Sequence, residues 1–287
     1  MPEPSAVLRT TAELRQRLHT LKLPAMARLF PDLALRAATA NLTHEAFLDE
    51  LVAAECAQRD ERWLARLLRA SGLPLEKTFR TVQLDRFPAI IRQQLERLRR
   101  GDFVEEAINV VAVGRPGAGK SHLLAALGHE LILQGQAVFW TSTASLVQRL
   151  LAAKRDLRLP QELARLDRYA CLILDDIGYV QHDRDEMEVL FTLLAERYER
   201  RSVAISTNLV FSEWERIFKN PMTTLAAIDR VVHHAVILDL LQVDSFRAQA
   251  ATAQHPQPSL PPAIPTPCAD EEVSPDADND HEHHHRA

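Results

Sequence analysis

The most constraining feature of this chain is the octet Gly114-Arg115-Pro116-Gly117-Ala118-Gly119-Lys120-Ser121. It stands between an apolar run at 108–113 and a helical pattern that opens at His122-Leu123-Leu124. Glycines let successive backbone N–H groups converge on an anion, and the helix behind them adds the positive end of its dipole. Lys120 can then reach the outer phosphates of a nucleotide, and the Ser121 hydroxyl can ligate Mg²⁺. A full pattern of this kind between strand and helix predicts a phosphate-binding loop and a bound nucleoside triphosphate. Gly114 through Ser121, with His122 next to them, form the expected nucleotide-binding set.

Around this loop the sequence alternates between short apolar runs and amphipathic stretches. Strands are expected at 108–113, 137–141, 170–174, 202–206 and 235–240, and helices at 122–134, 144–154, 186–200 and 223–233. Continuous apolar strands joined by helices imply a parallel sheet covered on both faces, here an α/β P-loop NTPase core of five strands. The first hundred residues read as helices instead. Leu14, Leu18 and Leu21 keep helical spacing, Pro24 and Pro31 punctuate the next stretch, and Thr43 caps an amphipathic helix reaching about residue 70. Ser71-Gly72-Leu73-Pro74 stops that helix, and Pro88 starts another that Gly101 ends. The expected division is a helical domain at 1–80, an ATPase domain at 81–250 and a tail at 251–287.

The net charge of −5 hides an asymmetry. After Ala250 the chain carries seven acidic residues against Arg286 alone, so the rest is near +1. That tail is Pro-rich and poor in apolar residues, ends in His281, His283, His284 and His285, and is expected to be disordered. The stretch 62–100 is distinctly basic, which suits sequence-independent contact with nucleic-acid phosphates as well as it suits a solvated helical face. Cys56, Cys171 and Cys268 are scattered, with no metal or disulfide spacing, and no apolar run approaches a membrane span. A cytoplasmic protein without a membrane partner is the expectation.

Three further groups bear on the phosphates. Asp175 and Asp176 follow the apolar run Leu172-Ile173-Leu174, which places Asp175 beside the loop as a Mg²⁺ residue and Asp176 where it can orient or deprotonate water. Ser206-Thr207-Asn208 ends the next strand, and Asn208 is the preferred polar group between γ-phosphate and water, with Thr207 second. Transferring phosphate also needs a cation, for which Arg197, Arg200, Arg201, Arg230 and Arg247 are candidates. His233-His234, flanked by apolar residues, is read as structural rather than metal-binding.

With these residues in place, the chain resembles the IstB-like family, ATPase helpers of bacterial insertion sequences related to DnaC-type helicase loaders within the AAA+ ATPases. The resemblance spans about 14–247. It rests on Leu21-Lys22-Leu23-Pro24-Ala25-Met26, Phe47-Leu48-Asp49-Glu50-Leu51, the phosphate loop and Asp175-Asp176-Ile177-Gly178-Tyr179. It continues through Arg197-Tyr198-Glu199-Arg200-Arg201-Ser202, Thr207-Asn208-Leu209, Phe211-Ser212-Glu213-Trp214, and Asp229-Arg230 with His233-His234-Ala235.

The resemblance implies an AAA+ core that hydrolyses ATP with Mg²⁺, with Lys120, Asp175, Asp176 and Asn208 as catalytic residues. Arg230 would act as an arginine finger on ATP held by a neighbouring copy, and Arg247 as a weaker sensor. It also implies ATP-dependent self-association on duplex DNA, largely sequence-independent, and recruitment of a transposase encoded by the same element. Rival readings are a DnaC-like helicase loader and an ATP-held assembly module that scarcely hydrolyses. Two positions depart from the family pattern: Asp176 stands where Glu is usual, an exchange expected to slow hydrolysis, and Arg115 stands where proline is commoner.

Overall fold

In the computed structural model the described residues are 4–178, 184–214 and 221–246, with side chains described from 11 and, in the last stretch, from 224. Arg247, Tyr179 and the tail 251–287 lie outside them.

Five strands form one parallel sheet: β1 Asn109–Gly114, β2 Val138–Ser142, β3 Cys171–Asp175, β4 Ser202–Thr207 and β5 Ala235–Leu240, in the order β2-β3-β4-β1-β5. All four pairings are parallel. Side chains alternate between faces, and both faces are covered, which is why these runs are apolar without interruption. Val110 and Ala112 of β1, Ile173 of β3 and Ala204 of β4 enter one core cluster, while Val111, Val113, Leu172, Leu174, Val203 and Ile205 enter the other. The first face is filled by α6 Lys120–Leu133, which is buried almost all round, together with α4 Ala89–Leu98. The second is covered by α7 Thr143–Arg155, α8 Leu159–Leu166, α9 Arg184–Arg197 and α10 Pro221–Val232. A short helix, α5 Asp102–Glu105, leads into β1.

The N-terminal helices are α1 Pro4–Thr20, α2 Pro24–Ala40 and α3 His44–Ser71. Thr43 accepts a hydrogen bond from the Ala46 amide, and Gly72 ends α3 in the left-handed region at φ 70°. Met26, Phe30, Leu33 and Leu51 form a separate small core between α2 and α3, whereas Leu67 and Leu68 at the far end of α3 pack on the sheet domain.

Two expectations change here. Pro31 does not interrupt the chain but lies inside α2. It leaves one helical carbonyl without its usual amide, and the buried stripe Met26, Phe30 and Leu33 holds the helix across that gap. Helix α8 is not among the expected helices; it is only two turns long and opens on Leu159-Pro160, although Leu159, Leu163 and Leu166 keep helical spacing.

Buried Glu55 on α3 closes the N-terminus of α2. Its Oε2 accepts from the amides of Ala25 at 2.8 Å and Met26 at 3.2 Å, and Arg59 donates to Oε1 at 3.2 Å. Burial pushes the Glu55 carboxyl up, but these amides and Arg59 outweigh it and hold its pKa below the usual range. Among the described residues no helix is long and apolar enough to cross a membrane.

Candidate functional site

The phosphate loop leaves the carboxyl end of β1 and turns into α6 at Lys120. Gly117 and Gly119 take φ of 85° and 92°, which side chains rarely adopt. Space is short at both: a Cβ on Gly117 would fall 2.1 Å from Ser245 Oγ, and one on Gly119 would press on the rings of Phe87 and Phe246 at 3.2 and 3.3 Å. The segment after β5 thus docks directly on the loop, and the Phe246 amide donates to the Gly117 carbonyl at 3.0 Å. Ala118 is buried, while Arg115 and Pro116 face solvent. Lys120 Nζ donates to the carbonyls of Gly114 at 2.7 Å and Arg115 at 3.0 Å, which holds the ammonium inside the turn.

Behind the loop, Ser121 Oγ donates to Asp175 Oδ1 at 2.6 Å. A hydroxyl and a carboxylate at this separation form a hard oxygen donor pair that suits Mg²⁺. Ser206 Oγ also donates to Asp175 Oδ1 at 2.6 Å and accepts the Asp176 amide at 2.8 Å. Asp176 itself sits at φ 64°, a left-handed conformation that Asp tolerates better than most residues. Burial, then the neighbouring Asp175 charge, raise the Asp176 pKa, against the opposing pull of Lys120. A carboxylate shifted this way is a better proton acceptor than an exposed aspartate.

The Asn208 side chain lies over Gly178, where a Cβ would come within 2.4 Å of Oδ1. That oxygen is buried and has no hydrogen-bond partner among the described residues. An unsatisfied buried acceptor of this kind is one that a bound water or ligand would satisfy. Thr207, the second choice at this position, is fully buried and its hydroxyl accepts from the Leu209 amide at 3.0 Å, so it serves the local turn.

A cavity of about 290 Å³ opens beside the loop, lined by Lys77, Thr81, Gln83, Phe87, His122 and Phe246 among others. Thr81 Oγ1 lies 2.9 Å from His122 Nε2. Burial, aided by the Lys77 charge, lowers the His122 pKa, which favours the neutral imidazole. The Arg86 guanidinium stacks 3.8 Å from the Phe246 ring, and the Phe87 and Phe246 rings are 5.8 Å apart. An apolar slot with a few polar groups, next to a phosphate loop, has the character of a base-binding pocket. Of this lining beyond the loop itself, His122 and Leu123 follow the loop directly in the sequence, while the rest precedes α4 or follows β5 and carries no local motif.

The candidate arginines separate clearly. Arg197 is almost fully buried and donates to the carbonyls of Leu166, Tyr169, Ala170 and Ser202. Burial lowers its pKa to about 10. It is a structural strut rather than a finger. Arg200 pairs with Asp167 at 3.1 Å and Glu196 at 3.5 Å. Arg230 on α10 stacks 4.9 Å from the Phe191 ring and donates to the Ala226 carbonyl at 2.9 Å. Its backbone carbonyl accepts from Asn109 at the start of β1, whereas the phosphate loop leaves the other end of that strand. Five strand steps separate them by about 17 Å.

In the basic stretch, Arg62, Arg66 and Arg69 share one exposed face of α3 beside partly exposed Trp63. Arg99 instead pairs with Glu96 and Glu130, so its charge is partly spent inside the fold.

Comparison with known proteins identifies the family. The family described as "IstB-like ATP binding protein" matches residues 16–253. An insertion sequence ATP-binding protein of Sinorhizobium fredii is 40% identical over 256 residues, covering 89% of this chain and 86% of its own length. One from Pseudomonas aeruginosa is 32% identical over 235 residues, 82% of this chain and 88% of its own. Among solved structures, AMPPCP-bound DnaA from Aquifex aeolicus matches with a TM-score of 0.50 at 15% identity, over 64% of this chain and 56% of that one, a likeness of fold alone.

Proposed function

Because the chain belongs to the IstB-like ATP-binding protein family, we propose that it is a Mg²⁺-dependent ATPase that assembles on duplex DNA and assists transposition. In this reading it recruits a transposase encoded by the same element to target DNA. The observation that carries the proposal is the convergence of Ser121 and Asp175 at 2.6 Å directly behind the glycine loop and Lys120.

The triphosphate binds along the amides of the loop, and the base enters the slot between Phe87, His122 and Phe246. Lys120 exchanges its two loop carbonyls for phosphate oxygens. Ser121 and Asp175 would hold Mg²⁺, which would supply positive charge against the phosphates. Asn208 orients the attacking water and Asp176 accepts its proton. Arg230 of a neighbouring copy supplies the further positive charge that phosphoryl transfer needs. Triphosphate therefore joins adjacent copies, and its hydrolysis releases them. Arg62, Arg66 and Arg69 on α3 contact DNA phosphates.

Imaging the full chain on duplex DNA with ATP, ADP or no nucleotide tests this. Extended assemblies are expected with ATP only, and they should be absent with Lys120→Ala. A chain that stays monomeric with saturating ATP, Mg²⁺ and DNA refutes the proposal.

One residue favours a second reading. Asp176, a methylene shorter than the usual glutamate, supports an assembly module held by ATP with negligible turnover. Equal, near-background hydrolysis by the wild type and Asp176→Ala would establish it.

A further inference from the structure

The turn between α9 and β4 and the turn between α10 and β5 come together away from the phosphate loop. The first presents Glu199, at φ 55° in the left-handed region, and the second presents His233 and His234. The apolar neighbours of the histidine pair predict a structural role, yet both rings are exposed, packed edge to face with centroids 4.3 Å apart. One donor atom from each of Glu199, His233 and His234 lies within 4.8 Å of the other two.

The contacts of the two imidazoles are long, while Glu199 also accepts a hydrogen bond from the Tyr198 hydroxyl. His234 Nε2 is 3.5 Å from Glu199 Oε1, and His233 Nδ1 is 3.3 Å from the Tyr198 hydroxyl. Two imidazoles and a carboxylate thus offer three lone-pair donors, the imidazoles held only by long hydrogen bonds. We propose that Glu199, His233 and His234 form a binding site for a divalent transition metal of the zinc class, separate from the Mg²⁺ pair Ser121 and Asp175. Imidazole nitrogens with one carboxylate oxygen are an established donor set for such ions, and three protein ligands leave a fourth position for water.

The geometry is within reach. Bonds near 2.1 Å in a tetrahedral site put ligand atoms roughly 3.4 Å apart. Closing the cluster needs about an ångström of movement, which exposed side chains achieve by small rotamer shifts. Side-chain exposures of 50% for His234 and 56% for Glu199 leave them that freedom. The Tyr198 hydroxyl orients the His233 ring, the part that outer partners play around metal-bound histidines. A bound ion would staple the two turns together one helical turn from Arg230, since the His233 amide still donates to the Asp229 carbonyl.

The test must separate this site from the tail histidines. The full chain with His281, His283, His284 and His285 all changed to Gln is titrated with Zn²⁺ by calorimetry and with Co²⁺ by visible absorption. One equivalent is expected, with a four-coordinate Co²⁺ spectrum and a raised melting temperature. Adding His234→Asn or Glu199→Gln should weaken binding roughly tenfold or more, and Tyr198→Phe should weaken it less. Failure of the tail-substituted chain to bind either ion would overturn the proposal. So would affinity unchanged by both ligand substitutions.

Discussion

Ser206 and Asp175 are joined by a 2.6 Å hydrogen bond, and the same hydroxyl accepts the Asp176 amide at 2.8 Å. One buried serine therefore fixes both carboxylates of the proposed hydrolytic site. It holds the oxygen that also meets Ser121 and sets the left-handed turn from which Asp176 projects.

Ser206→Ala should therefore impair turnover more than nucleotide binding. Losing a hydrogen bond to a charged group is worth about 1.5–3 kcal/mol, or about 10- to 150-fold in kcat. KM for ATP should move little, because the loop amides and Lys120 are untouched. Ser206→Thr keeps the hydroxyl and should recover part of the rate. Steady-state ATPase assays on the three proteins decide it, and a Ser206→Ala enzyme with unchanged kcat would remove the positioning role.

The two best-defined arginines predict opposite phenotypes. Arg197 donates to carbonyls from the α8–β3 connection and from β4, so Arg197→Ala leaves buried acceptors unpaired. It should cost about 1–3 kcal/mol of stability, read as a drop in melting temperature. Arg230→Ala should melt near the wild type and bind ATP normally, yet lose turnover about a thousandfold if it acts on a neighbour's phosphate. Full activity in Arg230→Ala would transfer the role to Arg200 or Arg201.

The difference between these arginines marks where the sequence stops being legible. Every strand lies within a residue of its expected position, because a continuous apolar run flanked by helices leaves few alternatives in a doubly covered sheet. Lys120 and Ser121 are readable because they follow β1 at a fixed offset, and Asp175 because it ends the apolar run of β3. Arg197 is not, since burial against four carbonyls depends on where α8 and β4 meet. Ser206 looks like any strand-end serine until the neighbouring strand brings Asp175 alongside. The proposed base slot joins residues from 77 to 246, and Glu199 and His234 meet from two different turns, so neither leaves a local pattern. Pro31 reads as a break only if the packing of α2 on α3 is unknown.

On α3 the exposed face of Arg62, Arg66 and Arg69 gives a quantitative DNA prediction. Each phosphate contact displaces counterions and contributes about 0.9 to the slope of log affinity against log salt. Replacing all three by Gln should lower that slope by about 2.7 if each contacts one phosphate. The loss of affinity should be similar on unrelated sequences, as fluorescence anisotropy across salt concentrations would reveal. An unchanged slope would place the DNA on another surface.

Glu55 offers a test confined to the N-terminal helices. Its carboxylate caps α2 through Ala25 and Met26, and its pKa lies below the ordinary value of 4.5. A group depressed in the folded state stabilises fully above its unfolded pKa and loses that contribution as pH falls through the folded one. Glu55→Gln keeps the shape but removes the charge, and should cost about 1–2 kcal/mol at neutral pH. The gap in stability between wild type and Glu55→Gln should then be constant above about pH 5.5 and shrink progressively below 4.5. Urea unfolding of both proteins from pH 7 to 3, followed by circular dichroism, measures this directly. A gap that persists undiminished at pH 3 would mean that packing, not charge, is what Glu55 contributes to α2.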